Sequence, residues 1–158
     1  ASTCGTVVTS GDLIFASGGY PDKETVCINA SGEKLWSDST KVYEPSMLAA
    51  GDYLYTVTDS GIAMCWEGKT GDVKWKKRLG GNFSSSPILV GDLLYVADLK
   101  GNTYVFKASS KAYEEVAVNV LGNDSYASPG VAENSLLMRC GFREGGERKE
   151  KLIRIGKP

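Results

Sequence analysis

Gly11-Asp12-Leu13-Ile14-Phe15, Gly51-Asp52-Tyr53-Leu54-Tyr55 and Gly91-Asp92-Leu93-Leu94-Tyr95 begin at intervals of 40 residues, and Glu133-Asn134-Ser135-Leu136-Leu137 follows 42 residues after the third. Each joins a two-residue turn to a run rich in aromatic and branched side chains, the pattern of a hairpin opening into a strand. A short apolar segment precedes each turn: Thr6 to Thr9, Ser46 to Ala49, Ser86 to Val90, or Ser128 to Val131. Asp59-Ser60-Gly61 and Lys100-Gly101-Asn102 then turn the chain into a third strand, Ile62 to Trp66 or Thr103 to Phe106. Thr70-Gly71 or Ser31-Gly32 turns it again, into a fourth strand such as Val73 to Trp75 or Glu115 to Val118.

Four antiparallel strands in about 40 residues make one β-propeller blade, so the period predicts an all-β chain of about four blades. The boundaries fall near 3–40, 41–80, 81–122 and 123–158, within a single propeller segment over 1–158. A lone blade leaves both faces of its sheet uncovered, so neighbours must pack face to face. Blade four supplies an inner strand near Val131, a second from Ser135 to Arg139 and a third from Lys151 to Ile155, but no outer strand. Thr6 to Thr9 already serves as the inner strand of blade one, so nothing ahead of it completes blade four. The count predicts part of a seven- or eight-bladed ring, or two copies meeting, with self-association through apolar faces of blades one and four.

The 158 residues are 42% hydrophobic and carry a net charge of −1, enough apolar content for a real core. Lys and Arg are scattered, without the basic stripe that releases counterions from a phosphate backbone, which argues against a nucleic-acid partner. No run approaches the roughly 20 apolar residues of a bilayer-spanning helix, so the chain reads as not membrane-spanning. Histidine is absent, which removes Ser-His-Asp triads, Cys-His nucleophiles and histidine-ligated zinc. The four cysteines, Cys4, Cys27, Cys65 and Cys140, show no C-x-x-C spacing.

Cys65-Trp66-Glu67-Gly68-Lys69-Thr70-Gly71-Asp72-Val73-Lys74-Trp75 resembles the eleven-residue docking motif of PQQ-like repeat propellers, A-x-D-x-x-T-G-x-x-x-W. Thr70, Gly71 and Trp75 match it, and Cys27 to Trp36 is the same motif one residue shorter. In blade three it has eroded, with Ser110-Lys111 at the turn and Glu115 expected where tryptophan would stand. The resemblance implies a structural docking role for Trp36, Thr70, Gly71 and Trp75. Each tryptophan would lay a flat apolar surface on the next blade, burial worth roughly 2–3 kcal/mol. Cys27 and Cys65, at the small apolar position opening the motif, read as buried free thiols.

That family includes the outer-membrane assembly lipoprotein, a non-enzymatic scaffold, and more remotely the quinoprotein alcohol dehydrogenases. The resemblance therefore implies a non-catalytic scaffold or binding module that engages a protein or small ligand in the periplasm or outside the cell. The alternative is part of a PQQ-dependent dehydrogenase. Such enzymes hold PQQ with a vicinal Cys-Cys pair and a stacking tryptophan, and calcium with Glu, Asn and a catalytic Asp. This sequence has no Cys-Cys pair and no recognisable calcium set, so neither PQQ nor calcium is expected and no catalytic residue is assigned.

Propellers bind at the mouth of the central channel, through the loops leading into the inner strands and those joining the second and third strands. Tyr43, Phe83 and Tyr126 recur in the first set beside Asn82, and Tyr20 stands in the second, so Tyr20, Tyr43, Asn82, Phe83 and Tyr126 form the candidate binding mouth. The competing reading has Tyr43, Phe83 and Tyr126 plugging gaps between blades. Arg143 to Lys151, mixed in charge around two glycines, reads as a solvated hairpin tip.

Overall fold

Residues 2–156 are described by a computed structural model in which all regular structure is β. Fifteen strands form four antiparallel sheets in chain order. Sheet one holds β1 (Val8–Ser10), β2 (Leu13–Gly18), β3 (Glu24–Asn29) and β4 (Lys34–Asp38). Sheet two holds β5 (Leu48–Ala50), β6 (Tyr53–Val57), β7 (Ile62–Glu67) and β8 (Val73–Arg78). Sheet three holds β9 (Ile88–Val90), β10 (Leu93–Ala97), β11 (Asn102–Lys107) and β12 (Glu115–Val120). Sheet four has three strands, β13 (Gly130–Ala132), β14 (Ser135–Glu144) and β15 (Glu147–Ile155). This is a partial propeller.

The repeated turn closes each inner hairpin in the same register: Ser10 faces Leu13, Ala50 faces Tyr53, Val90 faces Leu93 and Ala132 faces Ser135. Its first residue has positive φ, 56°, 57° and 64° at Gly11, Gly51 and Gly91, which glycine adopts without steric cost. In the fourth copy Glu133 and Asn134 take φ of 47° and 59° instead, so the sheet-four turn is kept against the preference of a Cβ-bearing residue.

Side chains alternate across each strand, and the two faces of a sheet join two different cores. Phe15 and Cys27 of sheet one pack with Leu54, Met64 and Trp66 of sheet two. Tyr55, Val57, Ala63, Cys65 and Trp75 on the opposite face of sheet two pack with Leu94, Val96 and Phe106 of sheet three. The third core is smaller, with Ala97 against Met138 and Cys140 of sheet four.

Two further devices bind neighbouring sheets. The Trp36 indole N–H donates to the Gly68 carbonyl at 2.7 Å, and the Trp75 indole to the Ser109 carbonyl at 2.7 Å, each reaching into the next sheet's outer turn. Gly71, at φ 77°, lies so close beneath Trp36 that a Cβ there would sit 2.6 Å from the ring. At the inner strands a ladder runs from sheet to sheet. The Thr6 N–H donates to Ser46 Oγ at 2.9 Å, the Ser46 N–H to Ser86 Oγ at 2.8 Å, and the Ser86 N–H to Ser128 Oγ at 2.8 Å.

Two sequence expectations change. Cys65 faces Trp75 across β7 and β8, and in sheet three the corresponding Val105 faces Ala117, while Glu115 faces Phe106 as Val73 faces Trp66. Ala117, not Glu115, therefore occupies the tryptophan position. The β-bulge in each outer pair adds a residue that simple motif counting misplaces. The last hairpin is also longer than expected: β14 runs to Glu144 rather than Arg139, and β15 starts at Glu147 rather than Lys151. A turn at Gly145-Gly146, φ 61° and 88°, lets β14 and β15 pair out to Glu144 and Glu147. Cross-strand ion pairs such as Lys151–Glu144, at 3.2 Å, line this extended hairpin.

Candidate binding face at the inner-strand loops

The loops leading into β5, β9 and β13 lie beside the turns that join second and third strands, and main-chain bonds pin them there. Asp59, in the β6–β7 turn, accepts the Tyr43 N–H at 2.9 Å and the Glu44 N–H at 3.0 Å, while its own carbonyl accepts the Phe83 N–H at 2.9 Å. One residue thus holds two successive loops. The Leu99 N–H donates to the Asn82 carbonyl at 2.8 Å, and the Gly141 N–H to the Asp124 carbonyl at 2.9 Å, repeating the attachment at sheets three and four. Buried Ser85 braces its loop by donating to the Ala97 carbonyl at 2.6 Å and accepting the Ala97 N–H at 3.0 Å. A hydrogen bond from Ser84 to the Glu44 carboxylate ties two adjacent loops together.

The candidate residues divide on this frame. Tyr20 and Tyr126 are strongly exposed, at 71% and 61%, Asn82 is exposed, and Tyr43 is half-buried. Phe83 is not at the surface. It is 1% exposed, belongs to the core between sheets two and three, and stacks at 5.7 Å on Tyr104. For Phe83 the gap-filling reading holds, because its side chain follows the inward turn of a loop whose N–H is held by the Asp59 carbonyl. The neighbouring Cys4 thiol pushes the Tyr43 phenol's pKa up.

Sequence reasoning missed a second polar centre. Arg148 reaches from β15 to Asp124, its Nε donating to Oδ2 at 2.8 Å and its Nη2 to Oδ1 at 2.7 Å. This two-point bond holds the largely buried Asp124 carboxyl below the usual carboxylate range. Gly141 makes room: a Cβ there would lie 2.3 Å from Asp124 Oδ1 and 2.8 Å from Arg148 Nε. Glu150 bridges Arg148 and Arg139, and Tyr126 edges the same group. No motif announces this cluster; an arginine 24 residues from its aspartate meets it only once the long hairpin is formed.

Cys27, Cys65 and Cys140 are buried free thiols, and burial raises all three, Cys65 to about 11, while Cys4 is exposed. Among the described residues no group of three or more Cys, Asp or Glu side chains is placed to hold a metal ion, and no helix is long and apolar enough to cross a membrane.

The family model for outer membrane protein assembly factor BamB matches residues 22–113, more than half of the chain. The chain belongs to the BamB-like family of PQQ-like repeat propellers. By sequence, no curated protein matches. Among solved structures, BamB from Moraxella catarrhalis superposes with a TM-score of 0.68 at 13% identity, over 86% of this chain and 40% of that one. The quinohemoprotein alcohol dehydrogenase ADHIIG from Pseudomonas putida HK5 gives 0.67 at 13%, over 89% of this chain and 28% of that one. The computationally designed Ika4 protein gives 0.71 at 12%, over 98% and 92%. At these identities the likenesses establish the fold, and the chain spans less than half the length of the BamB structure it matches.

Proposed function

We propose that this chain is a non-catalytic scaffold of the BamB-like family, working outside the cytoplasm and engaging a protein partner or small ligand through its inner-strand loops. Tyr20, Tyr43, Asn82 and Tyr126 form the contact surface, with Phe83 reassigned to the core. The observation that carries this reading is that loops of successive sheets present aromatic and amide side chains to solvent while their main chains are fixed by Asp59, Ser85 and the serine ladder. Rigid aromatic anchors lose little entropy on binding, which suits a scaffold surface. Trp36, Thr70, Gly71 and Trp75 serve inter-sheet docking, and the sheets belong to a ring of seven or eight blades. The match to a family named for outer-membrane assembly supports both the scaffold role and the compartment.

Site-specific photo-crosslinking from positions 43 and 126 of the full-length protein, in the cells that make it, tests the surface. Discrete adducts are expected from both positions and none from an exposed site on the outer strands such as Lys74. Tyr43→Ser with Tyr126→Ser removes partner binding without shifting the melting midpoint. Unchanged binding in that double variant, or equal adducts from position 74, overturns the assignment.

A further inference from the structure

A cleft of about 410 Å3 opens between sheets one and two. Lys23, from the β2–β3 connection, Lys41, from the loop before β5, and Lys76, from β8, line it together with the hydroxyls of Ser39, Thr40 and Ser60. Four lysines on strands are neutralised by neighbours, Lys34 by Glu24, Lys74 by Glu67, Lys107 by Glu114 and Lys151 by Glu144, whereas Lys77 and Lys149 stand alone outside the cleft. Among the described residues Lys23, Lys41 and Lys76 have no ion-pair partner.

Three of the acids nearby, Asp59, Glu24 and Asp38, already hold hydrogen-bond or ion-pair partners, and Asp22 does not. Asp59, the one carboxylate lining the cleft, accepts the Tyr43 and Glu44 N–H groups. Lys23 also borders an adjoining groove with Asp22, Glu24 and Asp38, where Glu24 is paired with Lys34 and Asp38 accepts the Thr40 N–H at 2.7 Å. Lys41 is held with its ammonium 5.3 Å from the centroid of the Tyr43 ring. The Thr40 hydroxyl donates only to the Met64 sulfur, at 3.8 Å, a weak bond that a better acceptor displaces. Three lysines line this one concave site against a single carboxylate, so the cleft carries a net positive charge that a bound anion offsets.

We propose that this cleft binds a small tetrahedral oxyanion ester, carrying a phosphoryl or sulfuryl group. The donors are lysines and hydroxyls without an arginine. Ammonium groups bind phosphoryl-type anions as point charges, and the hydroxyls beside them can donate to the remaining oxygens. None of the three lysines belongs to the proposed contact surface, but the two sites adjoin, since Lys41 packs on Tyr43 and Asp59 both holds the contact loops and lines the cleft.

The intact chain is titrated with inorganic phosphate, inorganic sulfate and citrate at constant ionic strength, and the backbone amide resonances are followed. Saturable shifts confined to residues around Ser39, Thr40 and Ser60 are expected, with either tetrahedral anion binding tighter than the tricarboxylate; which of the two is tighter assigns the group. The variant K23Q/K41Q/K76Q weakens binding by roughly tenfold or more, a loss of about 1.4 kcal/mol. The control K107Q/K151Q, at lysines of sheets three and four, leaves it unchanged. Lys23 and Lys76 are exposed, so K23Q/K76Q provides the same comparison if the triple variant folds poorly. Tighter citrate binding, scattered or non-saturating shifts, or equal weakening by the control overturns the proposal.

Discussion

Trp75 is 8% exposed, and its ring meets Tyr55 on its own sheet and Phe106 and Tyr113 on the next, the latter two edge-on at 6.2 and 5.7 Å. Its indole N–H satisfies the Ser109 carbonyl, so the residue contributes both area and a hydrogen bond. The two contributions separate by substitution. Trp75→Ala is expected to cost about 3–5 kcal/mol, the range for deleting a large buried aromatic. Trp75→Phe keeps most of the apolar contact and leaves the carbonyl without its donor, costing about 1 kcal/mol. Urea unfolding with a shared slope measures both, and equal losses would show that the hydrogen bond, not the ring surface, dominates. Trp36 is only half-buried, so its alanine variant falls below Trp75→Ala.

Outer strands show what the missing tryptophan does at the next scale up. Ala117 stands in the tryptophan position of β12, and the interface beyond it is the least filled of the three. Two adjoining hollows of about 420 and 280 Å3 lie between sheets three and four, lined by Tyr95, Val120, Leu136 and Ile155 among others. Ala117→Trp is expected to fill part of that space and stabilise this chain by about 0.5–2 kcal/mol, the usual return of cavity filling. A rise in the melting midpoint checks it; destabilisation would mean that sheets three and four cannot accept a ring there. The repeat and the four inner hairpins were legible in the sequence because the turn and strand signals recur at one spacing. The Ala117 register was not, because a bulge in the outer pair shifts the count by one. Phe83 misled for a related reason: an aromatic in a loop reads as exposed until the loop's backbone partners are known. Asp59, Ser85 and Arg148 act through contacts between elements that no local pattern specifies.

For the whole molecule the decisive contrast is between its two uncovered faces. On sheet one, Ile14, Ala16, Val26 and Ile28 lie on the face opposite Phe15 and Cys27, and all four are apolar. On sheet four, Leu137, Arg139, Leu152 and Arg154 lie on the face opposite Met138 and Cys140, at positions where sheet two carries Tyr55, Val57, Ala63 and Cys65. Sheet four therefore ends in a charged surface, tied by Arg139–Glu150 and Arg148–Asp124, rather than in the apolar face expected of it. Closing two copies head to tail would press Arg139 and Arg154, with their partners Glu150 and Glu133, onto Ile14 and Val26, desolvating ion pairs against an apolar face that offers them no hydrogen bonds. Sheet one against sheet one buries apolar surface on apolar surface and forms a self-complementary pair. In the chain by itself, association is accordingly expected through sheet one alone. Light scattering across a concentration series should show a dimer. Val26→Lys should disperse it to monomer, while Arg139→Glu should leave it intact. A monomer at every concentration, or a dimer that Arg139→Glu dissolves and Val26→Lys does not, would overturn this arrangement and return the charged face of sheet four to the centre of the assembly.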